Sequence, residues 1–306
     1  MRQTGGVTFV VAGLHAHRTG SGEAMLLLHG IGHRWQMWTP LLESLSQDFD
    51  VVAVDLPGFG LSPRFPDDVE LTMAAAVDML EHVMDEIGWE RAHLVGNSLG
   101  GWLALELAKR GRATSICTLA PAGLWDPERI ERRLRLWFGL WLGGSRYLRA
   151  FTGLLRFRLV RTVTMAGLFG RPWRIPAEIA IADVHNFATS AFEETFEAGR
   201  GHRFSDGQHI AEPVTVAWSS RDPLFSARRC PVTELPAHTR TVVLRGCGHV
   251  PTWDDPPLVL ETIRATAARA RIHQLHRDTR PAVGSPAAGS SCSFTGSGAE
   301  GGSSRS

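Results

Sequence analysis

Ser98 is the residue of this sequence that is best placed to act as a nucleophile. It lies at the centre of Gly96–Gly100 (GNSLG), which matches the G-x-S-x-G pattern in which a strand turns sharply into a helix. The apolar run His93–Val95 precedes the motif, and the helical pattern Leu99–Arg110 follows it. Such a turn strains the serine and needs small neighbours, and the N-terminus of the helix favours an anion beside the hydroxyl. The motif predicts attack on a carbonyl carbon; the alternative is a glycine turn that only packs a helix onto a strand.

His249 is the predicted base. A serine hydroxyl needs a base that accepts its proton, and the base needs a carboxylate that orients it. His249 follows the apolar run Thr241–Leu244 and is flanked by Gly248 and Pro251. A loop at this position would hold a histidine over the edge of a sheet.

Asp222 is the predicted acid, which gives the chain order Ser, Asp, His expected for a nucleophile of this kind. It follows the apolar run Val214–Trp218 in a short turn. Because Asp222 precedes Pro223, the alternative is an ordinary Asp-Pro turn without chemistry. Asp126 and Asp206 are the other candidates for the acid.

Two backbone N–H groups must stabilise the oxyanion. One belongs to Leu99, which directly follows the serine, and the other is predicted at Ile31 in the glycine-rich segment 29–33 (HGIGH). The alternative for this segment is an ordinary glycine turn. His29 and Gly30 of the same segment are predicted to contact the substrate.

Apolar runs bounded by turn residues predict the strands that position these groups. They show almost no alternation, which is typical of strands buried on both faces of a parallel sheet. The runs are Met25–Leu28, Val51–Val54, His93–Val95, Ser115–Leu119, Val214–Trp218 and Thr241–Leu244. Helical patterns lie between them, such as Met73–Ile87, which ends at Gly88. The alternation predicts an α/β fold with an open sheet and helices on both faces.

A segment without strand patterns interrupts this alternation. Residues 124–206 are rich in Arg and large apolar residues, and they predict a helical cap inserted between core segments 1–123 and 207–270. The last segment, 271–306, is rich in Gly and Ser and is predicted to be a disordered tail.

Large apolar residues recur at helical spacing within the predicted cap: Leu134, Trp137, Phe138 and Trp141. Three interpretations are open. The stripe packs on the core, or it lines a pocket for an apolar acyl or ring system, or it rests on a lipid interface. In the second case Trp137 and Trp141 would contact the substrate.

Composition excludes several classes of protein. Hydrophobic residues make up 43% and charged residues 21%, as in a globular protein rather than a disordered one. A net charge of +1 gives no overall field for a nucleic acid or an anionic membrane, so we expect neither partner. The four cysteines form no Cys-x-x-Cys pair, and neither a metal ion nor a cofactor is predicted. Reduced thiols and the lack of a signal-like or spanning segment predict a cytoplasmic protein.

Taken together, the motifs resemble the α/β-hydrolase superfamily. They are HGIG at 29–32, DLPGFGLS at 55–62, GNSLGG at 96–101, the Asp after a strand, and GCGHVP at 246–251. The resemblance covers about Val7 to Arg271. It implies a mostly parallel eight-stranded sheet, with a helical cap between strands six and seven. Epoxide hydrolases and haloalkane dehalogenases are similar in fold but carry Asp where this chain has Ser98.

The resemblance implies a serine hydrolase that cleaves a carboxylic ester of a small apolar substrate through an acyl-enzyme on Ser98. One alternative is a carbon–carbon bond hydrolase of a ring-cleavage diketone, since such relatives also carry a G-N-S-x-G-G elbow. Another alternative is a ligand-binding protein with a vestigial triad. Acyl transfer and perhydrolysis would use the same residues.

Overall fold

The computed structural model describes residues 5–125, 134–136, 139–140, 143–144, 147 and 149–278. Its strands are β1 (Val7–Val11), β2 (Leu14–Gly20), β3 (Glu23–Leu28), β4 (Phe49–Val54), β5 (Ala92–Asn97), β6 (Ala113–Leu119), β7 (Val214–Ser219) and β8 (Arg240–Leu244). They form one sheet in the order β1-β2-β4-β3-β5-β6-β7-β8. Strand β2 runs antiparallel to β1 and β4, and all other neighbours are parallel. The mostly parallel eight-stranded sheet is therefore confirmed.

All six apolar runs are strands, β3 to β8, whereas neither β1 nor β2 was among the predicted strands. Strand β2 (LHAHRTG) is rich in polar residues, and Val7 and Val10 of β1 are exposed to solvent. An antiparallel pair at the edge of a sheet does not need two apolar faces, so β2 lacks an apolar run; β1 (VTFVV) has one but was not predicted as a strand. Only the family resemblance implied these two strands.

Helices cover both faces of the sheet. Helices α2 (Met73–Glu86) and α3 (Leu99–Lys109) pack on one face, and α1 (Thr39–Leu45) and α7 (Pro256–Asp278) pack on the other. Consecutive residues of β3 alternate between the two cores, with Leu26 facing α2 and α3 and Leu27 facing α1 and α7. Burial on both sides explains why this strand is apolar throughout.

Helix α2 shows how local sequence sets its own limits. The Thr72 hydroxyl oxygen accepts a hydrogen bond from the Ala75 N–H at 3.1 Å and so caps the first turn. Beyond the last turn, Gly88 has φ +79°, a conformation that favours glycine and ends the helix as predicted.

The chain between β6 and β7 is helical in its described part. It contains α4 (Arg158–Thr164), α5 (Ala177–Thr189) and α6 (Phe192–Ala198), with 3-10 turns at Arg149–Arg156, Pro172–Arg174 and Gly207–His209. An isolated bridge between Ala166 and Phe169 is the only β pairing in the described residues of this stretch. This is where the cap is expected, although its boundaries at 124 and 206 stay predictions.

Helix α7 continues beyond the predicted start of the tail at Arg271, as far as Asp278, so that start is placed too early. The Arg271 Nε atom donates to Glu23 Oε1 at 2.9 Å, and its guanidinium lies over the Phe49 ring. These contacts hold the end of the helix on β3 and β4. The rest of the predicted tail, 279–306, lies outside the described residues. In the part of the chain that is described, no helix has the length and apolar character needed to cross a bilayer.

Candidate active site

Ser98 occupies the turn between β5 and α3 with φ +52° and ψ −116°. A non-glycine residue rarely adopts a positive φ, so the surrounding structure must hold it there. The Ser98 N–H donates to the Leu119 carbonyl at 3.0 Å, and the Ser98 carbonyl accepts from the N–H groups of Gly101 and Trp102. Backbone hydrogen bonds on both sides therefore fix the strained serine at the start of α3.

The glycines on either side of the serine are required by packing. A Cβ atom at Gly96 would overlap the Gly100 carbonyl, and one at Gly100 would overlap the Leu28 carbonyl of β3. The turn can pass this close to its neighbours only with small residues at these two positions, which is what the motif predicts.

His249 and Asp222 form a buried pair. The His249 Nδ1 atom lies 2.8 Å from Asp222 Oδ2, and the Asp222 side chain is fully buried. The other oxygen, Oδ1, accepts from the N–H groups of Leu224 at 2.7 Å and Phe225 at 3.2 Å. Since an ionised carboxylate only accepts, Nδ1 carries the hydrogen of this contact, and Nε2 is the basic nitrogen of the neutral ring.

Asn97 connects the serine turn to the loop of His249, a contact that sequence reasoning missed. Its Nδ2 group donates to the carbonyls of His249 and Leu119, both at 2.9 Å. Because Asn97 directly precedes Ser98, this side chain fixes the distance between the two loops. The G-x-S-x-G motif treats the position as variable; the Asn of the G-N-S-x-G-G elbow was the one signal for it, and that signal does not say what the side chain contacts.

Asp254 connects the His249 loop to the cap. Its carboxylate accepts from the N–H groups of Gly248, Gly170 and Arg171 at 2.6–2.7 Å. Burial raises the pKa of Asp254, and these three donors oppose that shift. The residue lies in a turn five positions after His249, and no local pattern distinguishes it from other turn aspartates.

Ser98 opens into a cavity of about 620 Å³ that includes a mouth open to solvent. Ile31 and Leu99, whose N–H groups are the predicted oxyanion donors, line the same cavity. Its wall is otherwise mostly apolar and includes Trp102, Ala122, Trp125, Leu134, Phe196 and Phe225. Trp125 stacks on Phe225 with ring centroids 5.1 Å apart, and Phe225 in turn contacts His249. Aromatic rings therefore connect the pocket to the predicted base.

His29 is not among the residues that line this cavity, and its predicted contact with the substrate stays a prediction. The ring is fully buried; its Nε2 accepts from the Leu56 N–H at 2.9 Å, and its Nδ1 therefore donates to the Gly30 carbonyl at 2.8 Å. Burial lowers the pKa of His29. The side chain fixes the loop that carries Ile31. A Cβ at Gly30 would lie 3.1 Å from the Ser98 Cβ, so Gly30 packs directly against the serine.

Several candidate residues cannot be compared with the structure. Trp137, Trp141 and Asp126 lie outside the described residues. Asp206 is described, and its carboxylate accepts from the neighbouring Ser205 hydroxyl rather than from His249.

A second array of the same residue types lies at the other end of the strands. His93 Nδ1 is 2.8 Å from the Ser115 hydroxyl, and its Nε2 is 2.9 Å from Glu23 Oε2. Ser115 lies within strand β6, without a helix N-terminus beside it, and it does not line the cavity into which Ser98 opens. This array satisfies buried polar groups, and it lacks the access and the oxyanion donors that Ser98 has.

Thiol and metal chemistry have little support in the described residues. Burial raises the pKa of Cys117 and Cys247 to about 12 and that of Cys230 to about 11, which keeps these thiols protonated and poorly nucleophilic. The described part of the chain contains no group of three His, Cys, Asp or Glu that could hold a metal ion.

Several known hydrolases are similar to this chain in sequence or structure. A family model described as the alpha/beta hydrolase fold matches residues 23–256. The epoxide hydrolase EphH of Mycobacterium tuberculosis is 32% identical over 205 residues, which cover 63% of this chain and 94% of that protein. The 2-hydroxymuconate semialdehyde hydrolase of Pseudomonas sp. strain CF600 is 34% identical over 132 residues, 42% of this chain and 41% of that protein. The structure of carboxylesterase CesB from Bacillus subtilis matches 85% of this chain and 91% of its own, with a TM-score of 0.64 and 19% identity.

Proposed function

The chain belongs to the alpha/beta hydrolase family, and from this premise we propose that it is a serine hydrolase that cleaves carboxylic esters of small apolar molecules. The observation that carries the proposal is the buried His249–Asp222 pair, with His249 Nδ1 2.8 Å from Asp222 Oδ2. Asn97, which precedes the strained Ser98, connects the His249 loop to the serine by a hydrogen bond to the His249 carbonyl. A nucleophile, an oriented base and a cavity beside both are what acyl transfer needs.

In the proposed mechanism, His249 Nε2 accepts the hydroxyl proton while Ser98 Oγ attacks the carbonyl carbon of the ester. The N–H groups of Leu99 and Ile31 stabilise the oxyanion, and the N-terminus of α3 adds a favourable field. His249 then donates its proton to the leaving alkoxide, which leaves an acyl-enzyme. Water, deprotonated by His249, attacks this intermediate, and His249 returns the proton to Ser98 Oγ as the acid is released.

Asp222 positions the base and stabilises its charged form. Its two bonds from the Leu224 and Phe225 N–H groups hold Oδ1, so Oδ2 stays directed at His249 Nδ1. Deprotonating Ser98 makes the imidazole cationic, and a buried carboxylate at 2.8 Å stabilises that cation strongly because little water screens it.

The cavity wall supports an apolar substrate. The Trp125 ring contacts those of Trp102 and Phe225, and the three rings line the cavity beside Ser98. Burying an acyl chain or a ring against them would contribute roughly 25 cal/mol for each Å² of apolar surface removed from water.

A carbon–carbon bond hydrolase is the second candidate. The similarity to 2-hydroxymuconate semialdehyde hydrolase, 34% over 132 residues, and the shared G-N-S-x-G-G elbow support it. In such a reaction Ser98 would again attack a carbonyl, but the leaving group would be a carbanion stabilised by conjugation rather than an alkoxide.

Epoxide hydrolysis is less well supported, although one relative carries that name. A carboxylate nucleophile opens an epoxide to an ester, which water can cleave. Ser98 would instead form an ether, which has no carbonyl for water to attack and would leave the enzyme blocked. The serine therefore favours substrates that already contain a carbonyl group.

Fluorophosphonate labelling with adduct mapping by mass spectrometry tests the proposal. We expect a single adduct at Ser98 that is lost in Ser98→Ala and strongly slowed in His249→Ala and Asp222→Ala. Ser115→Ala is the matched control, because it removes a serine that also contacts a histidine, and its labelling should equal that of the wild type. Labelling that is indifferent to His249 and Asp222 would overturn the triad and favour a binding protein.

A substrate panel separates the candidate reactions. Aromatic and medium-chain esters should be hydrolysed faster than acetyl esters, whereas equal rates would remove the argument from the apolar wall. If a vinylogous ring-cleavage diketone is cleaved and esters are not, the carbon–carbon hydrolase replaces the esterase.

A further inference from the structure

Large apolar side chains lie exposed on the cap. Phe151, Leu154 and Phe157 lie in and directly after the 3-10 turn at Arg149–Arg156, and Phe157 is 63% exposed. Leu155 of the same turn is fully buried and anchors it against α5, so its neighbours point away from the core. In α4, Leu159 and Val163 are four residues apart and both are more than 70% exposed, so they share one outward face. We call these five residues, Phe151, Leu154, Phe157, Leu159 and Val163, the cap surface.

The charge of the chain is strongly divided between this region and the rest. Residues 132–177 contain ten Arg and no Asp or Glu, whereas the other 260 residues contain 22 basic and 31 acidic residues. The formal charge is thus +10 in residues 132–177 and −9 in the rest of the sequence. The net charge of +1, on which the prediction of no anionic membrane partner was based, does not reveal this asymmetry.

Some of these arginines have internal roles, while others face outward. Arg171 and Arg174 donate to the Asp254 carbonyl, and Arg161 donates to the carbonyls of Leu155 and Arg156. Arg156 and Arg158 are exposed on both sides of Phe157. Cationic and apolar side chains therefore alternate directly at the exposed surface.

We propose that the cap surface, with Arg156 and Arg158, docks on the surface of an anionic phospholipid bilayer. The apolar side chains would enter the boundary between headgroups and acyl chains, and the guanidinium groups would bind lipid phosphates. At physiological salt the field at a surface comes from charges within about 8 Å, so Arg156 and Arg158, which flank the exposed Phe157, would act directly on a bilayer that contacts the cap surface. At low ionic strength, where screening is weak, the divided charge would also turn the molecule so that the cap approaches the membrane first.

Co-sedimentation of the full chain with vesicles tests the docking. Vesicles of phosphatidylglycerol and phosphatidylcholine (1:1) should bind the protein, and pure phosphatidylcholine should bind it much more weakly. Arg156→Gln/Arg158→Gln should lower the partition coefficient about 25-fold, since each arginine near an anionic surface contributes about fivefold. Phe157→Ser/Leu159→Ser should lower it at least about tenfold, because apolar area is lost from the interface.

Matched controls exist outside the cap. Arg228→Gln/Arg240→Gln removes the same charge from exposed positions outside the cap, and Val7→Ser/Val10→Ser removes similarly exposed apolar side chains from β1. Both should bind vesicles as the wild type does. Ser98→Ala should also bind normally, so the docking and the hydrolase activity can fail independently.

Three outcomes would overturn the proposal. They are no binding to the anionic vesicles, equal loss of binding in cap and control variants, and a stable dimer that only the cap variants dissociate. In the last case a second copy of the chain covers the cap surface. Sedimentation velocity without vesicles distinguishes that case, and unchanged hydrolysis of a soluble ester shows that the variants are folded.

Discussion

His33 should make the folded protein sensitive to acid, and His33→Phe should remove that sensitivity. His33 is buried at the end of the glycine-rich segment 29–33, and neither ring nitrogen has a hydrogen-bond partner among the described residues. Burial first, and then the nearby His29, His249 and Arg34, lower its pKa to about 3. The folded state therefore keeps the ring neutral, whereas the unfolded chain binds a proton below about pH 6.5.

The size of the effect follows from these two values. A group with a lowered folded-state pKa contributes stability above its unfolded pKa and loses it as the pH falls towards the folded pKa. Below the unfolded pKa, each unit of decrease in pH lowers the free energy of unfolding by about 1.36 kcal/mol. Lowering the pH from about 7.5 to about 5.0 should therefore reduce the free energy of unfolding by about 2 kcal/mol through His33 alone. A phenylalanine has a similar shape, fits beside Phe169 and cannot bind a proton.

Asp183 acts in the opposite direction in the same place. Burial raises its pKa to about 6, with Arg34 opposing the shift from 3.2 Å, so its contribution to stability is present below about pH 3.8 and is lost as the pH rises through about 6. At neutral pH the Asp183 carboxylate is charged and His33 is not, so their 4.0 Å approach is not an ion pair. Asp183 remains in His33→Phe, so its effect largely cancels when the variant is compared with the wild type.

Urea unfolding of the wild type and His33→Phe at pH 7.5 and 5.0 measures the difference. The variant should gain about 2 kcal/mol relative to the wild type on going to pH 5.0, with an unchanged dependence on urea. His82→Phe, which replaces an exposed histidine of α2, serves as the matched control and should keep the wild-type profile. A relative change below about 0.5 kcal/mol for His33→Phe would refute the argument from burial.

Three further substitutions test the site and its frame. Asp222→Asn should lower kcat on an ester about 10⁴-fold with little change in KM, because the amide favours the wrong tautomer of His249; a loss below about tenfold in steady-state kinetics would contradict this. Gly100→Ala places a Cβ on the Leu28 carbonyl and should abolish cooperative thermal unfolding, so a native-like transition by circular dichroism would refute the packing argument. Thr72→Ala removes the cap of α2 and should cost about 1 kcal/mol in urea unfolding, whereas Thr72→Ser should cost much less.

The sequence predicted the groups whose position depends on strand ends. Ser98, Asp222 and His249 each follow an apolar run, and parallel strands bring their carboxyl ends to one edge of the sheet. Their convergence was therefore predictable from strand order, and the structure brings Asp222 and His249 to within 2.8 Å. Their catalytic roles stay predictions until the labelling experiment is done.

Side-chain direction and contacts between distant loops were not predictable. His29 lies in segment 29–33 as predicted, but its side chain points inward and accepts a hydrogen bond from the Leu56 N–H. No local sequence pattern predicts this direction. Asn97 reaches a carbonyl 152 positions away, so its role depends on tertiary structure alone. Strand β2 was missed for a related reason: its buried apolar residues Leu14 and Ala16 are separated by polar ones, so it shows no apolar run, and its place depends on pairing with β1 and β4.

Asp254 has a consequence for the working cycle of the proposed enzyme. Two of its three N–H donors, Gly170 and Arg171, come from the cap, and the third, Gly248, adjoins the base. If the cap moved away from the core at this point, the hydrogen bonds from Gly170 and Arg171 to Asp254 would break, and the loop that carries the His249 imidazole would be released. Opening of the cap would then also displace His249, so the proposed enzyme would be inactive while product leaves. It would become active again only when the cap closes over a new substrate.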